Sequence, residues 1–306
     1  MTVFTDALEQ TAFLFLFILA GYVLCKGRFV PDNARATLSS LENTLFIPAL
    51  VLSTFMGHFT RDKLQAAWQL FSGSFVLGLL FILLALLCVR LITKDSYERG
   101  IYAYGLSFSN FGFMGNAVVS ALFPEMFMEY LIFTLPLWTL IYLWGVPVLL
   151  MGDGQKQPLK KRLNNFLNPM FIAMALGMLM GLCGLRAPAF ITSAVEAAGQ
   201  CMSPVAMLLT GMTIARYDLK DILRQKGVYV VSALRLIAFP LLFMAAARLI
   251  PLPRAFYACA LCSLAMPLGL NTVIIPSALG KDTRLAAGMA LVSHVAGCLT
   301  IPLLLG

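Results

Sequence analysis

The chain is predicted to be an all-α integral membrane protein, with ten transmembrane helices in two inverted five-helix repeats and with helices 4 and 9 broken. Three observations predict this. Hydrophobic residues fill 60% of the 306 positions and charged residues 12%, against roughly a quarter charged in soluble domains. The apolar residues gather into ten stretches of bilayer-spanning length. Two of those stretches, at matching places in the two halves, carry Gly, Asn, Ser and Pro that a continuous membrane helix does not need.

Composition bounds the function classes. The net charge of +8 does not point to nucleic acid, because the basic residues sit in loops between apolar stretches. The seven Cys form no disulfide ladder and no zinc pattern. Cys259 and Cys262 make a C-x-x-C inside an apolar stretch, where small helix-packing residues are the ordinary reading. The first ten residues hold Asp6 and Glu9 but no Lys or Arg, so they lack a basic secretory n-region, and the first span is expected to be retained. No P-loop, H-E-x-x-H or G-x-S-x-G occurs, and the two His have no carboxylate constellation between them. An enzyme is not expected, and no cofactor or metal is called for.

In order, the spans fall at 8–25, 39–57, 67–89, 100–122, 128–151, 167–184, 189–213, 228–248, 255–278 and 285–304. The second contains Asn43 and Pro48 and the seventh Pro204. These residues either contribute a scaffold face to a site or mark ordinary tolerated kinks. The long polar break at 152–166, with Lys156, Lys160, Lys161 and Arg162, separates a first repeat (1–151) from a second (167–306). Of the 22 Lys and Arg, 16 fall in the loops of one side and 5 in those of the other, with Arg235 inside the eighth span. That asymmetry places both termini outside and the basic loop in the cytoplasm.

The halves also match residue by residue. A displacement of 155 brings Tyr102 onto Tyr257, Leu106 onto Leu261, Asn116 onto Asn271 and Val118 onto Val273, and one of 156 brings Pro48 onto Pro204 and Thr54 onto Thr210. With an odd number of spans per half, the second repeat must sit upside down relative to the first.

The fourth span reads Leu106-Ser107-Phe108-Ser109-Asn110-Phe111-Gly112-Phe113-Met114-Gly115-Asn116, and the ninth Leu264-Ala265-Met266-Pro267-Leu268-Gly269-Leu270-Asn271-Thr272. A break in either leaves a half-helix amino end, with unpaired N–H groups and about half a positive charge, which favours an anion. No carboxylate lies in either break, which points away from a cation or proton exchanger and towards an organic anion. The candidate substrate contacts are Asn110, Gly112, Gly115, Asn116, Pro267, Gly269, Asn271 and Thr272. The other reading is that Pro267 and the glycines only kink two helices for packing.

Four charged or titratable residues lie in or near spans. Arg235 either balances a substrate carboxylate or faces the negative carboxyl ends of the broken half-helices. Glu42 and Glu196 either cap helix ends and snorkel, or couple transport to protons. His294 is either a packed, hydrogen-bonded side chain or a proton relay.

Ser109 to Gly115, the segment Ala265 to Asn271 and the ending Ser293 to Pro302 resemble the auxin efflux carrier family, in particular its bacterial permeases. The resemblance covers essentially the whole chain. It implies a fold similar to sodium/proton antiporters and bile-acid symporters. Spans 1, 2, 6 and 7 would form a scaffold and the rest a transport domain, with the two broken spans crossing at the substrate. It also implies a carrier of organic anions such as malonate, malate or auxin, with Asn110 and Pro267 as the crossover residues.

The sequence departs from many relatives in having Ala117 two residues after Gly115, where they have Pro. The break is therefore expected at Gly112 and Gly115, and whether Asn110 or Asn116 faces the substrate stays open. The expected function is elevator-type secondary transport of a small mono- or dicarboxylate across a cytoplasmic membrane, with a proton or sodium ion as candidate coupling ion. A cation exchanger on the same fold and a non-transporting sensor are the alternatives. The lipid bilayer is the expected surround, and a homodimer is left open.

Overall fold

Helices lie over all ten apolar stretches in the computed structural model, which describes residues 3–31, 33–59, 64–150, 169–278 and 281–306. The basic loop 152–166 lies outside the described residues. Helix α1 covers Val3–Lys26. The second span is a composite of α2 (Ala34–Leu41), a π-helical turn over Glu42–Phe46 and α3 (Ile47–His58). Pro48 falls in the first turn of α3, where its missing N–H breaks no bond of that helix, and the wider π turn absorbs the mismatch with α2. This span begins at Ala34 rather than near residue 39, so Arg35 belongs to a helix and not to the loop before it.

Helix α4 (Leu64–Ile92) follows, and then α5 (Ser96–Ser107), capped by an Asp95 side chain that accepts a hydrogen bond from the Glu98 N–H at 2.8 Å. After a break come a π-helical turn over Phe111–Gly115 and α6 (Asn116–Leu122). Helix α7 (Phe127–Leu140) runs on into a π-helical stretch over Ile141–Leu150 that houses Pro147.

The second half is helical as well. Helices α8 (Pro169–Cys183), α9 (Ala189–Gln200) and α10 (Met202–Ile214) lead to the short α11 (Leu219–Leu223). Pro204 lies in the first turn of α10, where Pro is tolerated. Next are α12 (Lys226–Ala233), a π-helical turn over Leu234–Ala238 and α13 (Phe239–Ala247). Helix α14 (Arg254–Ala265) breaks off before α15 (Asn271–Ala278), and α16 (Arg284–Leu305) closes the described chain. Among the described residues, seven helices are long and apolar enough to cross a membrane. Phe111–Leu122, Pro169–Cys183 and Arg254–Ala265 are shorter apolar helices.

Small residues let the helices approach closely. Helix α1 packs along α10, where Gly21 faces the Leu208 backbone and Gly211 faces the Ile18 carbonyl so tightly that a Cβ on either would strike it. Helix α3 packs along α8 and α9. A second group, α4, α5, α7 and α14, packs around the two breaks, and α16 joins it from the far end of the chain. Residues 101–119 and 259–270 are all buried, so both breaks sit in protein and not against lipid, as irregular backbone in a membrane protein must.

The first break does not fall at the glycines. Helix α5 ends at Ser107, and the non-helical residues are Phe108, Ser109 and Asn110. Gly112 and Gly115 lie inside the π-helical turn that follows. A Cβ on Gly112 would enter the Trp138 ring and one on Gly115 would meet the Tyr130 hydroxyl. Their smallness serves packing against α7. The second break, 266–270, contains Pro267 as expected.

Candidate functional site

The two breaks are joined to each other. The Asn110 N–H donates to the Pro267 carbonyl at 2.7 Å, and the Gly269 N–H donates to the Phe108 carbonyl at 3.1 Å. These bonds form an isolated antiparallel bridge centred on Ser109 and Leu268. Each break thus satisfies backbone groups that the other leaves without a helical partner. The bridge pairs Asn110 with Pro267. Asn116 and Asn271, which the sequence repeat aligns, occupy a different equivalence, since each is the first residue of the α-helix after its break.

Arg235 sits beneath the crossing. It is 2% exposed. Its guanidinium donates to the Leu106 carbonyl at 3.0 Å, the Ser263 carbonyl at 3.1 Å and, at 3.5 Å, the Met266 carbonyl. Leu106 lies in the last turn of α5, Ser263 in the last turn of α14, and Met266 caps α14. These are the carbonyls a helix leaves unpaired at its negative end. The hydrogen bonds of Arg235 are those of a shared cap for two helix ends. Ser109 adds a further link, its Oγ donating to the Ser263 carbonyl at 2.7 Å.

Side chains hold the crossing from α16. His294 Nδ1 lies 2.7 Å from the Ala290 carbonyl, which can only accept, so Nδ1 carries the proton. Nε2 then accepts from the Asn110 amide at 2.9 Å. Ser293 Oγ accepts from the Leu268 N–H at 3.3 Å. Asn271 Nδ2 donates to the Tyr104 hydroxyl at 2.9 Å, and the Thr272 hydroxyl donates to the Gly269 carbonyl at 2.8 Å. Three buried oxygens near the crossing have no hydrogen-bond partner: Ser107 Oγ, Asn110 Oδ1 and Asn116 Oδ1.

A cavity of about 400 Å³ opens beside the crossing, within the range of small-molecule sites. One wall carries Arg35, Ser39 and Asn43 from the second span and Thr210 and Thr213 from α10. Facing them are Phe113, Leu270, Val273 and Ala290, which flank the amino ends of the two post-break helices or come from α16. Asn43 is the one sequence-nominated residue in this lining, and its amide donates to the Ser39 carbonyl at 2.7 Å. Asn116 and Gly112 line a separate, much smaller cleft. Pro48 and Pro204 are half-buried and line neither space, and Glu196 is exposed on α9.

Sequence reasoning missed Arg35, Ser39, Thr210 and Thr213. The signal was present: Arg35, Ser39 and Asn43 recur every four residues, the spacing of one helix face. Glu42, next to Asn43, is 1% exposed, and both its carboxylate oxygens are buried with no hydrogen-bond partner.

Multiple long apolar helices and two broken helices meeting inside the bundle define a multi-pass membrane protein of the transporter class. The chain belongs to the membrane transport protein family (Mem_trans), the auxin efflux carrier family that its sequence resembles, whose model matches residues 6–305. No curated protein matches it.

Proposed function

We propose that this chain is a secondary carrier of a small organic anion, a mono- or dicarboxylate, working by elevator-type alternating access in the cytoplasmic membrane. In this reading ten spans form two inverted five-span repeats. Spans 1, 2, 6 and 7 are the scaffold, and the two crossed spans travel with the rest. The observation that carries the reading is the 400 Å³ cavity, which sets a cationic side chain, Arg35, opposite the starts of both post-break helices. An anion there meets a guanidinium that can grip a carboxylate with two parallel bonds. It also meets the N–H ends of two helices. Arg35 and Ile214 lie at the ends of their spans that the Lys and Arg asymmetry places in the cytoplasm, so the cavity corresponds to an inward-facing state.

Asn110 and Asn271 act here through position. Anchored to His294 and Tyr104, they hold the two post-break helices at the angle that presents their ends to the cavity. A second reading, a proton-coupled exchanger on the same fold, is favoured by one observation: the buried, unpartnered carboxyl of Glu42 beside the cavity wall.

Uptake of labelled short carboxylates into proteoliposomes decides between them. Wild-type protein is expected to accumulate at least one, Arg35→Gln to lose uptake by about ten-fold or more, and Asn110→Ala to lose a substantial part. Equal rates in wild type and Asn110→Ala would show that the Asn110–His294 bond does not position the helix end for transport. Ion flux with no carboxylate present, abolished by Glu42→Gln, would replace the anion reading with the exchanger.

A further inference from the structure

A space of about 20 Å³ lies on the Arg235 side of the crossing. It shares no lining residue with the large cavity or with the Asn116 cleft. Ser74 on α4, Ser107 on α5, Phe133 on α7 and Ser263 on α14 line it, together with Ser109 of the first break and Arg235. The volume suits one water-sized particle.

The residues around this space hold three donors that no protein acceptor takes. A guanidinium has five N–H donors, one on Nε and two on each Nη. The bonds to the Met266, Leu106 and Ser263 carbonyls use one donor on each nitrogen. One N–H on each Nη is left over. The third donor is the Ser107 hydroxyl: Ser107 is 8% exposed, and its Oγ has no hydrogen-bond partner. Charge points the same way. No Asp or Glu lines the space, and among the described residues Arg235 makes no ion pair. The helix ends offset part of its charge through their carbonyls, but a buried cation is ordinarily paired with an anion.

We propose that this space binds a single halide ion, chloride in the cell, held by the two remaining Arg235 N–H groups and the Ser107 hydroxyl. An anion accepts all three bonds and brings the missing negative charge. The volume selects a one-atom ion over a carboxylate or an oxyanion such as sulfate. The site is independent of the carrier reading, because it balances a charge inside the helix group whatever the large cavity takes. A water molecule is the rival occupant. It would accept from Arg235 and donate to the Ser74 and Ser109 oxygens, whose own protons go to the Phe133 and Ser263 carbonyls.

The test uses full-length protein in detergent, desalted into sodium gluconate and titrated with sodium chloride at constant ionic strength. The wild-type unfolding midpoint is expected to rise by about 5 °C and to saturate at millimolar chloride. Bromide should act alike, and sulfate should give no saturating step. Ser107→Ala is expected to weaken the apparent chloride affinity by about ten-fold. In gluconate alone it should be at least as stable as wild type, because an unpartnered hydroxyl is gone. Equal wild-type midpoints in chloride and gluconate overturn the proposal and leave the space to water. A chloride response that Ser107→Ala shares undiminished places the ion elsewhere and also overturns it. So does a rise that sulfate reproduces without saturation, the mark of general salt exclusion. If Ser107→Ala is not monodisperse, Ser107→Asp takes its place: a carboxylate tethered in the space should abolish the chloride response, and a wild-type response overturns the site. If both variants misfold, equilibrium dialysis of wild type with radiolabelled chloride decides, one bound ion per chain supporting the site and none overturning it.

Discussion

The two broken spans solve one problem by different means. In the second half, Pro267 lies in the gap itself, and Asn271 begins an α-helix three positions after Leu268. In the first half the gap is Phe108, Ser109 and Asn110, with no Pro, and Asn116 comes seven positions after Ser109 because a π-helical turn intervenes. The second break is thus written into its own residues, since Pro cannot continue the hydrogen-bond ladder. The first is imposed by its partner. Its backbone leaves the helix to complete a bridge with residues 267–269, and the π turn with its two glycines then fits the returning chain beneath Tyr130 and Trp138. One break is autonomous and the other dependent, which is the asymmetry that substitutions can expose.

The largest effect should come from the residue both breaks share. Arg235→Met leaves the Leu106 and Ser263 carbonyls buried at two helix ends without their charged donor, at a cost of about 3 kcal/mol or more. Loss of monodisperse protein, or a large drop in the midpoint of thermal unfolding in detergent, is the expected reading. Arg235→Lys should rescue only partly, because an ammonium carries its three donors on one atom, whereas the guanidinium reaches the Leu106, Ser263 and Met266 carbonyls from three separate nitrogens. Full rescue by Lys would show that charge alone suffices.

Gly115→Ala comes next and acts on the dependent break only. Its Cβ would meet the Tyr130 hydroxyl, which donates to the Phe111 carbonyl at 3.1 Å. Overpacking plus a displaced hydrogen bond should cost about 1–3 kcal/mol, read in the same unfolding assay. Wild-type stability would mean that the π turn can shift freely, and the contrast between the breaks would weaken.

The smallest effect is expected for Pro267→Ala. The Pro267 contribution to the bridge is its carbonyl, which Ala retains. The change should therefore cost only about 0.4–1 kcal/mol, mainly through the freer unfolded chain. A loss as large as that of Gly115→Ala would show that the Pro267 ring itself, and not only its carbonyl in the bridge, holds the second break, which would sharpen the contrast with the first.

The same asymmetry explains how much of the molecule was legible in the sequence. Hydropathy placed helices at all ten stretches, because apolar length is a local property. Pro267 marked its break for the same reason. The first break was misplaced onto Gly112 and Gly115, since glycines read as helix breakers. Here they are small so that Trp138 and Tyr130 can approach, and the true gap is held open by bonds to a segment far along the chain. No local pattern announces such a contact. Arg35 precedes the apolar stretch 39–57 that hydropathy assigns to the second span, so it counts with the loop, and only its spacing to Ser39 and Asn43 hints at a helix face. For Arg235, the sequence left a helix-end role and a substrate role open, and the carbonyls it reaches could be named only from the folded chain.

The bridge between the breaks also bears on how the protein is made. Phe108 and Asn110 leave the ribosome well before Pro267 and Gly269, with half the chain still to come. Until then, a carbonyl and an N–H in the middle of an inserted segment have no partner in the native pattern. The newborn first half must cover them with water, with continued helix or with a chaperone's help. Insertion of the ninth span is therefore the step at which the first half receives its final shape.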